Sequence, residues 1–282
     1  MKTVGVIGAG VMGSGVAQNL AQVGYQVILV DISTDVLNHS KEEIYNKIRL
    51  QTLFQKNTEA AFDPDSIIAQ INYTTDYQLL KQAEYIIENV TEKWEIKAEI
   101  YPKIDEICIP NCIFAVNTSC IPITKIASLT KRPFQVIGTH FMNPVPLKTT
   151  VETIRGYHTS EETIETTKQL LASMGKECIV VNDLPGFVSN RISHLFMNEA
   201  AFVVQDQVAS PQEVDEIFKK CYGHKMGPLE TADLIGLDTV VNSLDVLYES
   251  YQDPKFRCCP LLRKMVDAGL YGVKSGEGFY TY

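Results

Sequence analysis

The chain has 282 residues, 45% of them hydrophobic and 21% charged, a composition typical of a folded globular protein. Its formal net charge of -9 argues against a nucleic-acid-binding protein, because phosphate backbones are bound by basic surfaces. The sequence holds no apolar run of roughly 18 residues, so no membrane span is expected. The length is sufficient for two domains.

The first predicted elements are a buried strand, TVGVIG at residues 3–8, and a helix that starts at VMGSG. The turn between them has the pattern G-x-G-x-x-G, formed by Gly8, Gly10 and Gly13, with Met12 inside it. The first glycine permits a tight turn, the second lets a pyrophosphate approach the backbone, and the third lets the helix pack closely on the strand. The free N–H groups at the helix start favour an anion. This turn predicts a dinucleotide site.

Asp31 ends the next predicted strand, QVILVD. A carboxylate at this position binds the ribose hydroxyls of the cofactor and would repel a 2′-phosphate. No arginine follows it directly, since the next residues are Ile32 and Ser33. The predicted cofactor is therefore NAD rather than NADP.

The first half of the chain alternates short apolar strands with helical segments, which predicts a mostly parallel, doubly wound sheet of the Rossmann type. An amphipathic excursion near residues 34–64 interrupts it. After the turn signal at 183–186 the chain becomes helical, which predicts an α/β domain over 1–184 and an all-α domain over 185–282. The predicted strands are 3–8, 26–31, 85–90, 112–117 and 135–140, with two more near 148–154 and 178–182.

Polar residues follow two of these strands, at the sheet edge where ligands bind in such folds. VNTS brings Asn117 and Ser119 to that edge, and GTHFMNPVP brings His140 and Asn143. Taken alone, His140 could equally be a packed core histidine. Asn143 before a proline could be a turn former.

Glu152 follows in TTVETI, and PGFVSNR places Asn190 at the start of the helical half. Asn190 could simply cap a helix, because asparagine is a good cap.

Several separated motifs, in this order, resemble the short, single-function L-3-hydroxyacyl-CoA dehydrogenases, including the bacterial 3-hydroxybutyryl-CoA dehydrogenases. The resemblance runs through GVIGAGVMGSGVAQ, NTS, HFMNPVP, PGFVSNR, MGPLETADLIGLD and the terminal SGEGFY. It implies an active site made of four residues: Ser119, His140, Glu152 and Asn190.

The same resemblance implies that Glu92 and Lys97, in VTEKWEIK, lie on the cofactor side. We expect Asn117 and Asn143 to line that side as well. It also implies a homodimer.

The expected reaction is the reversible oxidation of a 3-hydroxyacyl thioester with NAD. A histidine is suited to move the hydroxyl proton, as base in one direction and acid in the other. A carboxylate on its second ring nitrogen fixes the tautomer, which is the expected role of Glu152. Ser119 and Asn190 are expected to hydrogen-bond the developing ketone or the thioester oxygen. This chemistry requires no metal.

The region expected to bind coenzyme A departs from the family pattern. Its cations Lys47, Arg49 and Lys56 are scattered among acidic residues, and Thr150 makes the acyl surroundings more polar. This permits an alternative substrate, a small hydroxyacyl group carried on an acyl carrier protein, which lacks the adenine nucleotide.

Two further alternatives are weighed against these. A catalytically silent NAD-binding protein is disfavoured by the intact His140 and Glu152. The 3-hydroxyisobutyrate and 6-phosphogluconate dehydrogenases use a K-x-x-N helix that is not found after residue 160. The seven cysteines, without zinc-site spacing, are interpreted as free thiols of a cytoplasmic protein.

Overall fold

The computed structural model describes residues 1–54 and 62–282, which form two compact units, Met1–Asp183 and Leu184–Tyr282. Part of the predicted excursion, including Lys56, lies outside the described residues. The prediction of a mostly parallel sheet followed by a helical domain is confirmed.

The first unit is built on an eight-stranded sheet in the order β3-β2-β1-β4-β5-β6-β7-β8. Neighbouring strands run parallel except for β6 and β7, which are antiparallel. The strands are β1 (Thr3–Ile7), β2 (Gln26–Val30), β3 (Ile71–Thr74), β4 (Tyr85–Glu88), β5 (Ile113–Val116), β6 (Val136–His140), β7 (Thr150–Arg155) and β8 (Glu177–Asn182).

Helices between these strands pack on the sheet. They are α1 (Val11–Gln22), α2 (Thr34–Phe54), α3 (Pro64–Ile68), α4 (Trp94–Ile107), α5 (Ile123–Ala127) and α6 (Glu161–Ser173). Apolar side chains of the strands and of α1, α2 and α6 form one continuous core. That burial is the main force holding the sheet together.

One strand was absent from the sequence-based prediction. β3 pairs in parallel with β2 and forms the edge of the sheet, so the strand at 85–88 is the fourth in the chain and not the third. Its sequence, INYT, is short and half polar, and an edge strand does not require the continuous apolar run that marks a buried one.

The topology gathers several loops at one edge of the sheet. The strands β1 to β6 are parallel, so their carboxyl ends share this edge. Since β7 runs antiparallel to β6, and β8 runs parallel to β7, the starts of these two strands lie at the same edge. This edge therefore carries the glycine turn, the loop of residues 117–122 after β5 (the Ser119 loop), His140 and Glu152.

The second unit is helical, with its own apolar core. Its helices are α7 (Ser189–Gln205), α8 (Pro211–Tyr222), α9 (Pro228–Ile235), α10 (Leu237–Tyr251) and α11 (Pro260–Asp267). The buried carboxylate of Asp233 accepts hydrogen bonds from the N–H groups of Phe279 and Tyr280, which fixes the end of the chain on α9. Across both described ranges, no helix is long and apolar enough to cross a membrane.

Candidate active site

The glycine turn after β1 uses its three glycines in two different ways. Gly8 has a φ of +89°, and a Cβ there would lie 2.8 Å from the carbonyl oxygen of Asn89. A Cβ on Gly13 would lie 1.8 Å from the carbonyl oxygen of Gly8. A Cβ on Gly10 would meet nothing within 4 Å. Gly8 and Gly13 are thus required by the packing of the protein itself, whereas Gly10 faces open space.

The start of α1 fits the pyrophosphate of a dinucleotide. Gly10 is the N-cap residue, so no side chain caps the helix, and no acidic residue lies in its first turn. Unpaired N–H groups and the positive end of the helix dipole favour an anion at this position. Met12, inside the turn, is half-buried and packs against the apolar core.

Asp31 lies beside this turn, directly after β2. One carboxylate oxygen accepts a hydrogen bond of 2.7 Å from the N–H of Ala9, and the other accepts one of 3.1 Å from the N–H of Ser33. The half-buried carboxylate is therefore held at the rim of the glycine turn.

A line of hydrogen bonds connects the glycine turn to the strand that carries His140. Asn89, whose carbonyl oxygen faces Gly8, accepts a 2.8 Å hydrogen bond from the side-chain amide of Asn117. The side-chain oxygen of Asn117 in turn accepts one from the N–H of Phe141 at 3.2 Å. Asn117 was predicted to line the cofactor side, and the structure shows it bridging the ends of β4, β5 and β6.

His140 forms the centre of a three-residue hydrogen-bonded chain. Its Nδ1 lies 3.0 Å from Oε2 of Glu152, and its Nε2 lies 3.3 Å from the hydroxyl oxygen of Ser119. With Nδ1–H donating to the carboxylate, Nε2 is left as the acceptor for the hydroxyl. The histidine is only 6% exposed, which shields the Glu152 contact from water.

The Ser119 loop is held by Glu92, which the family resemblance assigns to the cofactor side. One carboxylate oxygen of Glu92 accepts hydrogen bonds from the N–H groups of Ser119 and Cys120, both at 3.0 Å, and from the Thr118 hydroxyl. Since the rest of Glu92 is exposed, this residue both fixes the loop and faces solvent at the same edge.

Lys97, which the family resemblance also assigns to the cofactor side, forms a buried ion pair. Its side chain is 0% exposed, and its ammonium group lies 2.7 and 2.8 Å from the two carboxylate oxygens of Glu88. The Tyr101 hydroxyl donates to the same carboxylate, and burial raises the pKa of this tyrosine well above its ordinary value. A contact between Lys97 and a ligand would thus require the ammonium to leave a buried ion pair.

Sequence reasoning missed Glu88 and Asn89. The available signal was a carboxylate at the end of an otherwise apolar strand, since an unpaired buried charge is costly and implies a partner nearby.

Two further predicted residues are on other elements of the fold. Asn143 is exposed in the connection after β6 and precedes Pro144 through a cis peptide bond. Asn190 belongs to the helical unit, in the first turn of α7. The N-cap of α7 is Val188, so the interpretation of Asn190 as a helix cap is wrong.

Comparison with known proteins identifies the family. Residues 3–184 match the family model described as 3-hydroxyacyl-CoA dehydrogenase, NAD binding domain, and residues 186–282 match the model of the C-terminal domain of the same enzymes. A probable 3-hydroxybutyryl-CoA dehydrogenase of Bacillus subtilis is 43% identical over 282 residues, covering 100% of this chain and 98% of that protein.

Two further relatives extend this similarity. The mitochondrial hydroxyacyl-coenzyme A dehydrogenase of Sus scrofa is 34% identical over 100% of this chain and 91% of its own length. The crystal structure of (S)-3-hydroxybutyryl-CoA dehydrogenase from Ralstonia eutropha superposes with a TM-score of 0.94 at 43% identity, covering 100% of this chain and 99% of that one. With both domains matched, this chain belongs to the 3-hydroxyacyl-CoA dehydrogenase family of NAD-dependent oxidoreductases.

Proposed function

We propose that the protein catalyses the reversible oxidation of short-chain L-3-hydroxyacyl-CoA thioesters, with 3-hydroxybutyryl-CoA as the preferred substrate class. The observation that carries this proposal is the hydrogen-bonded chain from Ser119 through His140 to Glu152. The short acyl chain is supported by the relatives that share full length with this chain and are named 3-hydroxybutyryl-CoA dehydrogenases.

His140 acts as the general base and acid in this proposal. Its Nε2, which accepts from Ser119, takes the hydroxyl proton of the substrate during oxidation and returns it during reduction. Glu152 holds the ring through Nδ1 and stabilises the imidazolium that forms. NAD, when bound, supplies the acceptor for the hydride that leaves the substrate carbon.

Ser119 and Asn190 position the oxygen that becomes the ketone. The Ser119 hydroxyl lies next to Nε2, so it is placed to hydrogen-bond the same substrate oxygen. Asn190 is proposed as a second donor on the strength of its motif, PGFVSNR, in the family resemblance. The open space at Gly10, the free start of α1 and the carboxylate of Asp31 would hold NAD.

A panel of acyl lengths tests the substrate assignment. We expect acetoacetyl-CoA to be reduced with NADH at a kcat/KM of about 10⁴ M⁻¹s⁻¹ or more, in the range usual for an enzyme with its own substrate. Longer 3-oxoacyl-CoA substrates should show lower values. A panel in which chains of ten or more carbons are preferred, by about tenfold, would overturn the short-chain assignment.

A carrier protein remains the second candidate for the group that bears the acyl chain. One observation favours it: the ammonium group of Lys47 pairs with Glu43 on the same helix, which lowers its availability to a CoA phosphate. Kinetics on matched hydroxyacyl-CoA and hydroxyacyl-carrier substrates distinguish the two. Efficient turnover of the CoA thioester alone excludes the carrier protein.

A homodimer is also proposed, because α7 leaves apolar side chains in contact with solvent. Ile192 is 64% exposed, and Leu195 on the same helix is only half-buried. Light scattering should give twice the mass of the 31.5 kDa chain. A monomer at micromolar concentration contradicts the assignment.

A further inference from the structure

Lys176 is a buried cation outside the residues described so far. It lies between α6 and β8 and is only 5% exposed. Its ammonium group donates to the carbonyl oxygens of Val145 and Lys148, both at 2.7 Å. Burial lowers the pKa of this lysine, which marks the cost of holding a charge in this place. The described partners of this ammonium group are both backbone carbonyls, so its role depends on the segment of chain that carries them.

The two carbonyls belong to the connection that joins β6 to β7. This connection, residues 141–149, runs from His140 to the strand of Glu152 and contains one 3-10 turn, Val145–Leu147. Carbonyl groups at the end of a helical turn carry partial negative charge, which a cation satisfies. Lys176 thus fixes the stretch of chain that connects the two members of the catalytic pair.

The same turn is confined from another side by α1, the helix that begins at the glycine turn. A Cβ on Gly15 would lie 3.1 Å from the Cβ of Val145, so the backbone of α1 touches the turn. The Asn19 side chain of α1 donates to the carbonyl oxygen of Met174, two residues before Lys176. The 3-10 turn is thereby held between the nucleotide-binding helix and the buried ammonium group.

We propose that Lys176 is a positioning residue for the dehydrogenase reaction. By fixing the carbonyls of Val145 and Lys148, it keeps the ends of β6 and β7 in the register that pairs His140 with Glu152. The inference rests on the proposed role of this pair, although its structural part is testable without turnover. A side chain that does not donate at this position leaves two buried carbonyls unsatisfied, and the connection must shift to reach water.

The test replaces Lys176 by methionine, which has a similar shape without the charge, and by arginine, which keeps it. Lys168→Met is the control for an exposed lysine on α6. Asp105→Asn is the control for stability, because this buried carboxylate anchors Arg132 and the N–H of Lys131 elsewhere in the same unit.

Two readouts are compared in the full-length protein. The first is kcat for acetoacetyl-CoA reduction together with KM for NADH. The second is the ¹⁵N spectrum of the histidine rings, which is tractable because the chain has only five histidines. His140→Gln assigns the signals of interest.

We expect Lys176→Met to lower kcat by about 10- to 100-fold, the cost of a displacement near 1 Å in a reacting group. KM for NADH should stay within about threefold, since the glycine turn is unchanged. The His140 ring signals should move as its hydrogen bond to Glu152 lengthens, and Lys176→Arg should recover part of both effects. Lys168→Met should match the wild type, and Asp105→Asn should lower Tm with unchanged His140 signals.

The outcomes separate this inference from the proposed function. Wild-type His140 signals in Lys176→Met overturn the positioning role, as do equal changes in Asp105→Asn. Altered signals with unchanged kcat support the positioning role and overturn the assignment of His140 to catalysis. If Lys176→Met does not fold, Lys176→Gln is judged by the same criteria, because its shorter, uncharged side chain cannot donate to both carbonyls.

Discussion

His140 and Glu152 are directly opposite each other on the only antiparallel pair of neighbouring strands in the described sheet, β6 and β7. Residues opposed in this way present their side chains on the same face, with Cβ atoms about 4.5–5.5 Å apart. The 3.0 Å contact between Nδ1 and Oε2 is therefore a product of strand register. The two residues are 12 apart in sequence, and the connection of residues 141–149 joins their strands.

Replacement of His140 by glutamine tests its role as the proton-transferring group. Glutamine retains hydrogen-bonding atoms but does not accept a proton at neutral pH, so we expect kcat to fall by about 10² to 10⁴. NADH affinity, measured by fluorescence titration, should stay within about threefold. His158→Gln, at an exposed position, is the matched control and should keep wild-type turnover. Retained turnover in His140→Gln would remove histidine from the mechanism.

Glu152→Gln isolates the charge of the orienting group, because glutamine has nearly the same volume. The amide does not stabilise an imidazolium as a carboxylate does, and its NH₂ group favours the wrong tautomer of His140. We expect kcat to fall by about 10²-fold or more, with Tm changed by only a few degrees. Steady-state kinetics with calorimetry measure both. A variant with kcat within twofold of the wild type contradicts an orienting role.

The glycine turn predicts opposite effects for two similar substitutions. Gly13→Ala brings a Cβ to 1.8 Å from the Gly8 carbonyl oxygen, so the turn must distort and Tm should fall. Gly10→Ala meets no atom of the protein within 4 Å, so Tm should stay near the wild-type value. NADH affinity should nevertheless fall by about tenfold in Gly10→Ala, since the methyl group occupies the space for the pyrophosphate. Unchanged affinity in this variant argues against a phosphate at Gly10.

Asp31→Ala tests the choice between NAD and NADP. Removing the carboxylate removes both a ribose ligand and the repulsion of a 2′-phosphate, so the ratio of kcat/KM for NADH over NADPH should fall by about 10-fold or more. Asp35→Ala, at an exposed position in the first turn of α2, is the control and should leave the ratio unchanged. An unaltered ratio in Asp31→Ala would show that another group selects the cofactor.

Local patterns were sufficient to predict the elements with strong periodicity and the residues at their ends. The buried strands and the glycine turn each have a short-range signature, as does the change to helices near Asp183. The direction of the strands is also enough to predict that polar residues after them share one edge of the sheet. The hydrogen-bonded chain of Ser119, His140 and Glu152 lies at that edge.

Long-range contacts had no such signature. The edge strand β3 has four residues and two polar side chains, so its sequence has no pattern that distinguishes a strand from a loop. Asp183 was interpreted as part of a turn, whereas its carboxylate accepts hydrogen bonds from the N–H groups of Ile123 and Thr124. These partners are 60 and 59 residues away in the chain, and only the fold brings them together.

For Lys97, the family resemblance and the contacts in the structure predict different effects of the same substitution. A direct contact with the cofactor predicts that Lys97→Met weakens NADH binding and leaves stability unchanged. The buried pair with Glu88 predicts the reverse, because the variant leaves a carboxylate without its cation at 0% exposure. Breaking such a pair costs about 3–5 kcal/mol of unfolding free energy. NADH affinity of the folded protein should then stay within about threefold.

A double substitution completes this test. Glu88→Gln together with Lys97→Met removes both charges, so it should be more stable than Lys97→Met alone by about 1–3 kcal/mol. Chemical unfolding can be followed by tryptophan fluorescence. The single tryptophan, Trp94, is the first residue of α4, the helix that carries Lys97, so its signal reports on the unfolding of the first unit. If Lys97→Met unfolds like the wild type and loses NADH affinity, the ammonium leaves Glu88 to bind the cofactor. If the double variant recovers stability, the two buried charges act as a pair in the interior of the unit.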